Sequence, residues 1–161
     1  MSKKLVAYFS ASGVTAEVAS ELAKINGADI YEIKPAVTYS EADLDWRNEL
    51  SRSFVEIHTP SVRPAIKKDD ADFSAYDKIY LGFPIWWGIA PTIVNTFLES
   101  YDLSGKKIVL FATSGKDGFG EAAKSLKESA SATAEILEGV VFSQADESTS
   151  RSELLKALAE K

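Results

Sequence analysis

The stretch Ser10-Ala11-Ser12-Gly13-Val14-Thr15 follows directly on the apolar run Leu5-Val6-Ala7-Tyr8-Phe9, and this junction decides the fold. The apolar run predicts a buried strand, because parallel strands covered on both faces are apolar throughout. The polar stretch predicts a loop that runs without a gap into an amphipathic helix. Such a corner collects free backbone N–H groups at the positive end of a helix dipole and adds hydroxyl donors. It is therefore typical of a phosphate-binding site.

The composition of this loop excludes several better-known phosphate sites. It has neither the Gly-x-x-x-x-Gly-Lys-Ser/Thr pattern of a Walker loop nor the glycines of a dinucleotide-binding turn. The chain has no cysteine and the loop no arginine, which excludes a phosphatase-type nucleophile loop. No Lys or Arg lies between Ser10 and Ala23, so hydrogen bonds would hold the phosphate. For the loop taken alone one alternative stays open, in which Ser10 or Ser12 only caps the helix.

Length, charge and residue usage limit the classes of function. A chain of 161 residues predicts a single domain over residues 1–161, and its N-terminus lacks a signal-peptide pattern, so we expect a cytoplasmic monomer. The net charge of −6 argues against nucleic acid and membranes as partners and suits a protein with a basic docking patch. Without cysteine, and with His58 as the only histidine, we expect no metal site and no histidine triad; His58 itself is expected to be solvated.

Short β-type runs alternate with helical periods along the chain. Strands are predicted at residues 5–9, 29–33, 79–83, 107–112 and 140–142. One helix buries Val14, Val18, Leu22 and Ile25 and ends at Gly27, and another follows Pro91 and buries Ile93, Val94, Phe97 and Leu98. A third helix is predicted over residues 121–137. The last begins with the capping box Ser150–Glu153 and buries Leu154, Leu155 and Leu158.

This alternation predicts a doubly wound, three-layer α/β sandwich around a parallel sheet of five strands. Residues 34–78 form an elaborated crossover within it, not a second domain. A helix is predicted to start at Ser40 there and to bury Leu44, Leu50, Phe54 and Ile57, and residues 59–64 are predicted to be an extended surface connection. Ligands of such sheets bind beyond the carboxyl ends of the strands, where the strand order reverses. The loops after the first, third and fourth strands are thus the candidate site.

The loop after the third strand contains two adjacent tryptophans, in Phe83-Pro84-Ile85-Trp86-Trp87-Gly88. A flat aromatic ligand stacked on an indole would explain them, and Gly88 would let the backbone approach the ligand edge. The alternative is that the indoles cap the core. The loop after the fourth strand, Thr113-Ser114-Gly115-Lys116-Asp117-Gly118-Phe119-Gly120, offers accessible amides for the polar edge of a heterocycle, and Phe119 as a further contact. The alternative interpretation of this loop is an ordinary glycine-rich turn.

Together, a phosphate cradle, an aromatic clamp and an amide-lined loop describe a site for a phosphorylated planar heterocycle, best matched by flavin mononucleotide (FMN). On these motifs the chain resembles the short-chain flavodoxin family, whose phosphate loop reads Ser/Thr-x-Ser/Thr-Gly-x-Thr. The resemblance implies FMN as cofactor and a strand order of 2-1-3-4-5. It implies cofactor contacts at Ser10, Ser12, Gly13, Val14, Thr15, Pro84, Ile85, Trp86, Trp87, Gly88, Thr113, Ser114, Gly115, Gly118, Phe119 and Gly120.

The function implied is that of a low-potential electron carrier between redox partners, with no catalytic residue of its own. Its low potential would follow from an acidic chain with no cationic side chain near the phosphate. The alternative is an NAD(P)H-dependent FMN reductase of quinones or flavins. A signalling receiver domain would need acidic residues where Phe9 and Ser10 stand. The tandem tryptophans and the long crossover are more similar to bacterial flavodoxin-like proteins of unassigned partner; no motif places Tyr39 or Trp46 over the flavin.

Overall fold

One parallel sheet of five strands, in the order β2-β1-β3-β4-β5, forms the centre of the computed structural model, which describes residues 3–67, 69–115, 118–143 and 150–161. The strands are β1 (Lys3–Tyr8), β2 (Asp29–Glu32), β3 (Tyr76–Pro84), β4 (Lys107–Ser114) and β5 (Glu135–Ser143). The helices are α1 (Val14–Asn26), α2 (Arg52–Ile57), α3 (Thr92–Ser100), α4 (Ala122–Lys127) and α5 (Arg151–Ala159). The predicted α/β architecture and strand order are confirmed.

Helices cover both faces of the sheet, and each face has its own apolar cluster. Leu5 and Ala7 of β1 belong to the cluster that includes the buried side chains of α3 and α4, whereas Val6 belongs to the cluster shared with α1 and α5. This alternation along one strand is what a sheet buried on both sides requires. The three predicted layers are therefore present. No helix in the described ranges is both long and apolar enough to cross a membrane.

Two helices bury most of their predicted faces, although Val14 of α1 is only half-buried. The predicted apolar row of α3, from Ile93 to Leu98, is buried, and α1 ends at Gly27 as predicted. Ile25, however, is 50% exposed, so its predicted burial is wrong. The buried face of α1 is instead completed by Ala19 and Ala23, whose small side chains let the helix lie close to the sheet.

The helix predicted over residues 121–137 is wrong beyond Lys127. Ser129 accepts a hydrogen bond from Asn95 at 2.8 Å, and the Glu135 N–H donates to the Lys106 carbonyl at 2.9 Å, which ties the following segment to the sheet. Strand β5 then begins at Glu135 and runs through Gly139, which lies at a shift in the β4–β5 register. A Cβ at Gly139 would lie 2.3 Å from the Leu110 carbonyl oxygen, so this glycine permits a bulge within the strand.

The crossover between β2 and β3 differs from its predicted course. The Ser40 start gives only a 3₁₀ turn over Ala42–Leu44, and turns stabilised by the side chains of Asp45 and Asn48 follow it. Leu50 lies among these turns and is 88% exposed, so its predicted burial is wrong. The regular helix α2 begins only after Ser51, whose hydroxyl accepts the Phe54 N–H. Of the predicted row, Ile57 is buried, whereas Leu44 and Phe54 are half-buried.

A buried polar cluster fastens this crossover, and we call Tyr39, Arg52 and Glu56 the latch. The Tyr39 hydroxyl donates to the buried Glu56 carboxylate, and Arg52 donates to the same carboxylate at 2.9 Å. The Arg52 guanidinium also lies 3.8 Å from the Tyr39 ring centroid and donates to the Val37 carbonyl at 2.7 Å. Burial and the Glu56 hydrogen bond raise the pKa of Tyr39 far above its ordinary value, so its phenol stays protonated at neutral pH.

Replacing Tyr39 by Phe should lower the free energy of unfolding by about 1.5–3 kcal/mol, because the lost hydrogen bond had a charged, buried acceptor. Urea denaturation of both proteins measures this difference. Tyr76→Phe is the matched control, since the Tyr76 hydroxyl donates to Asp29 at an exposed position and should contribute less than about 1 kcal/mol. Equal losses in the two variants would contradict the role assigned to the latch.

Candidate functional site

The loop after β1 leads into α1, whose first amide groups have no partner inside the helix. Gly13 is the N-cap residue, with φ of 96°, and α1 has no side-chain cap. The Ser10 hydroxyl accepts the N–H of Gly13 itself at 3.1 Å, so it stabilises the loop and does not cap the N–H groups inside the helix. The first backbone bond of the helix joins the Glu17 N–H to the Gly13 carbonyl. The N–H groups of residues 14–16 therefore precede the helical hydrogen bonds, which leaves them available to an anion.

Hydrogen bonds join the starts of the three candidate loops. The buried hydroxyls of Thr15 and Thr113 lie 2.8 Å apart, which links the start of α1 to the end of β4. The Ile85 N–H donates to the Thr113 carbonyl at 2.9 Å and continues the pairing of β3 with β4 beyond the strands. Three segments that are distant in sequence thus form one surface at the carboxyl edge of the sheet.

The two tryptophans lie in a tight turn with an unusual backbone. Trp86 and Ile89 exchange both backbone hydrogen bonds, at 3.0 and 3.1 Å, around Trp87 and Gly88. The φ angles of Trp87 and Gly88 are 50° and 78°, as in a type I′ turn. A positive φ is rare for a bulky residue, and such strained residues cluster at ligand sites. The turn therefore presents Trp87 at a cost in backbone energy.

The two indoles have different surroundings. Trp86 is half-buried and packs edge-on against Phe9 and Tyr39, with ring centroids 5.9 and 5.7 Å apart. Trp87 is 39% exposed and packs edge-on against the side chains of α2, with its centroid 5.4 Å from Phe54 and 5.6 Å from His58. His58 is exposed, as predicted, and its ring stacks on Phe54. Trp86 thus joins the loop to the core, whereas Trp87 joins it to the crossover.

Both indoles line a cavity of about 480 Å³, a volume within the usual range for small-molecule sites. Four of its lining residues were predicted as cofactor contacts: Ile85, Trp86, Trp87 and Gly115. Three more come from the crossover and were not predicted: Leu44, Trp46 and Ser53. The length of the crossover and its apolar Trp46 were the only sequence signals for this wall. Trp46 is 64% exposed and stands at the cavity without covering it fully.

The loop after β4 lies next to the cavity and to the tryptophan turn. Gly115 lines the cavity, and its carbonyl accepts a hydrogen bond from Ser143 at 3.2 Å. Phe119 is half-buried against the core and is not among the lining residues, so its contact with a ligand stays a prediction. The Glu121 N–H donates to the Gly88 carbonyl at 2.9 Å, which fixes this loop to the tryptophan turn. Lys116 and Asp117, quoted in the same loop, lie outside the described residues.

A smaller cavity of about 200 Å³ lies at the β1 loop. Lys34 and Lys67 line it together with Ser10 and Ala11. The expectation that no cationic side chain lies near the phosphate loop is therefore wrong, because it considered only the residues next to the loop in sequence. Glu32 lines the same cavity and offsets part of this positive charge.

The arrangement suits a ligand with an anionic end and a flat ring. Free amides at the start of α1 would hold the anion. The 480 Å³ cavity would take the ring, since its walls are mainly indole and aliphatic side chains with few polar groups, although no residue of the β1 loop is among its described lining. One of those polar groups, the buried Ser53 hydroxyl, has no hydrogen-bond partner among the described residues, as expected of a group that meets a ligand.

Comparisons with known proteins agree with this fold. The sequence model of the flavodoxin family matches residues 3–159. A candidate flavoprotein from Bacteroides uniformis is 41% identical, with 96% of each chain covered and a TM-score of 0.86. One from Bacteroides eggerthii is 43% identical, with 100% of each chain covered and a TM-score of 0.85. A flavoprotein from Lactobacillus acidophilus in complex with FMN is 24% identical over 90% of this chain and 95% of its own, with a TM-score of 0.67.

Among curated proteins, no match was found. The family match covers nearly the whole chain, and the two Bacteroides structures share its length as well as its fold. This chain belongs to the flavodoxin family.

Proposed function

We propose that this protein binds FMN at the carboxyl edge of its sheet and carries electrons between redox partners at low potential. The observation that carries the proposal is the cavity of about 480 Å³ lined by Trp86, Trp87 and Gly115. It lies at the same sheet edge as the N-terminus of α1, which Thr15 joins to Thr113 at the end of β4. The family assignment and the FMN complex of the Lactobacillus acidophilus protein support FMN as the cofactor. FMN supplies both one-electron and two-electron chemistry, so the protein needs no acid–base pair of its own.

The predicted contacts divide between the two ends of FMN. Residues of the β1 loop would hold the phosphate: Ser10, Ser12, Gly13, Val14 and Thr15. Residues of the other two loops would surround the ring: Pro84, Ile85, Trp86, Trp87, Gly88, Thr113, Ser114, Gly115, Gly118, Phe119 and Gly120. The Trp87–Gly88 peptide is the candidate acceptor for a hydrogen bond from the proton on flavin N5, because its turn geometry can direct a carbonyl toward a ring.

Charge supports a low potential and indicates the kind of partner. The chain carries a net charge of −6, which disfavours the additional negative charge of a reduced flavin. Lys34 and Lys67 oppose this effect beside the phosphate loop. A redox protein with a basic docking surface would be attracted to such an acidic chain. We propose that the protein acts in the cytoplasm as a single-domain monomer.

Replacing Ser12 by Ala should weaken FMN about tenfold or more and leave riboflavin unchanged, because riboflavin lacks the phosphate and a charge-assisted hydrogen bond contributes about 1.5–3 kcal/mol. Titrations followed by flavin fluorescence measure both affinities. Ser61→Ala, an exposed serine in the surface connection, is the control and should change neither affinity. Equal weakening of the two ligands by Ser12→Ala would reject the phosphate site.

A carrier should take up electrons in two separate one-electron steps and should not turn over NAD(P)H with a quinone. Potentiometric titration and a steady-state assay test these two properties. Gly88→Ala should bring the two potentials closer together, since alanine strains a backbone with φ of 78° and disturbs the proposed N5 contact. Gly105→Ala is the matched control, because Gly105 has φ of 73° and open space for a Cβ but lies before β4 at the opposite edge.

Reduction in a single two-electron step, together with fast turnover of NAD(P)H and a quinone, would contradict the carrier. That outcome would favour the reductase on the same FMN site. Equal effects of Gly88→Ala and Gly105→Ala on the potentials would reject the role of the Trp87–Gly88 peptide.

A further inference from the structure

Ser53 of α2 combines three properties that the fold does not explain. It is 2% exposed, its hydroxyl has no hydrogen-bond partner among the described residues, and it lines the 480 Å³ cavity. Buried hydroxyls in native proteins almost always have a partner, and an exception calls for an explanation. A ligand in the cavity would supply the missing partner.

Helix capping does not account for this serine. Ser51, two residues earlier, is the N-cap of α2, and its hydroxyl accepts the Phe54 N–H at 3.3 Å. The two serines are both buried and lie in the same helical turn, yet only Ser51 has a structural hydrogen bond within the described residues. Ser51 therefore provides the matched comparison for Ser53.

The position of Ser53 is fixed by the residues around it. Arg52 and Glu56 of the latch bind α2 to the start of the crossover through Tyr39 and Val37. On the other side, Phe54 packs against Trp87 of the cavity wall. A serine held at a cavity wall can present its hydroxyl to a ligand by selecting one of three staggered rotamers.

The other unpartnered polar atoms do not share this position. In the described residues they belong to Glu21, Asn26, Thr92 and Asn95, none of which lines the large cavity. The side chains beside Ser53 on the cavity wall are Leu44, Trp46, Ile85, Trp86 and Trp87, which are aliphatic or aromatic. Ser53 is thus the hydroxyl that this wall offers to the polar edge of a ring.

We propose that Ser53 is a further flavin-binding residue, supplied by the crossover, whose hydroxyl bonds to a polar atom on the edge of the isoalloxazine ring. This inference rests on the proposed FMN site and assigns it a fourth wall beyond the three strand-end loops. The hydroxyl can donate to a ring carbonyl or nitrogen, or accept from a ring N–H, so the bond forms with either type of ring atom.

Ser53→Ala tests this assignment through ligand binding and stability together. The dissociation constants of FMN and riboflavin should both rise about fivefold and by the same factor, because both ligands present the ring. The Tm of the flavin-free protein should stay the same or rise, because the flavin-free protein loses no hydrogen bond. The absorption spectrum of the bound flavin should shift relative to the unsubstituted protein, as expected when a contact to the ring is lost.

Ser51→Ala should show the opposite pattern. Loss of the N-cap should lower the Tm of the flavin-free protein by about 2–4 °C and change both dissociation constants by less than about twofold. Unchanged flavin affinity and spectrum in Ser53→Ala would overturn the inference while leaving the FMN site intact. A loss confined to FMN would also overturn it, since that pattern indicates a phosphate contact. If the unsubstituted protein binds no flavin, the proposed function itself fails.

Discussion

Parallel pairing of β3 with β1 and β4 is the constraint on which the site depends. It brings three loops to one edge of the sheet although they occupy residues 10–15, 84–88 and 113–120 of the sequence. The Phe9 N–H bonds to the Gly82 carbonyl, and the Ile85 N–H bonds to the Thr113 carbonyl, so the pairing continues to the loop starts. A slip of one residue would turn every buried side chain of a strand to the opposite face, and the two apolar clusters therefore fix this register.

The crossover between β2 and β3 adds lining residues that the strand-end loops do not provide. Two of the strand-end loops line the 480 Å³ cavity through Ile85, Trp86, Trp87 and Gly115, and the crossover adds Leu44, Trp46 and Ser53 to its lining. These crossover residues lie on turns and on a single six-residue helix, so few backbone hydrogen bonds fix their positions. The latch compensates by burying a carboxylate together with its cationic and phenolic partners, an arrangement that is stable only when the hydrogen bonds are complete.

Residue patterns confined to a single helix or strand allowed that element to be predicted from the sequence. The apolar run before Ser10 gave the position of β1, and the spacing of Ile93, Val94, Phe97 and Leu98 gave the buried face of α3. Short runs of unusual residues, such as the hydroxyls of the β1 loop and the adjacent indoles, also predicted which loops form the candidate site. The C-terminal limit of α4 was missed, because the alanines of residues 130–134 favour a helix and only a tertiary bond to Lys106 pairs Glu135 with the sheet.

The cavity-lining residues of the crossover could not be predicted in the same way. A lone serine such as Ser53 has no sequence signature, and its burial depends on a latch whose outer members, Tyr39 and Glu56, are 17 residues apart in sequence. Lys34 and Lys67 were missed for a similar reason, since an antiparallel bridge between Pro35 and Ile66 brings two distant segments beside the β1 loop. Short-range patterns thus predicted three loops for the site, whereas tertiary contacts bring the crossover residues to the cavity.

The central claim is that one flavin occupies all three strand-end loops and the crossover wall at once. An amide NMR titration with FMN tests it most directly, because each loop reports separately. We predict large shifts at residues 10–15, 85–88 and 113–115, together with residue 53, all following one binding curve. Shifts confined to a single loop, or centred on Lys34 and Lys67, would contradict the claim.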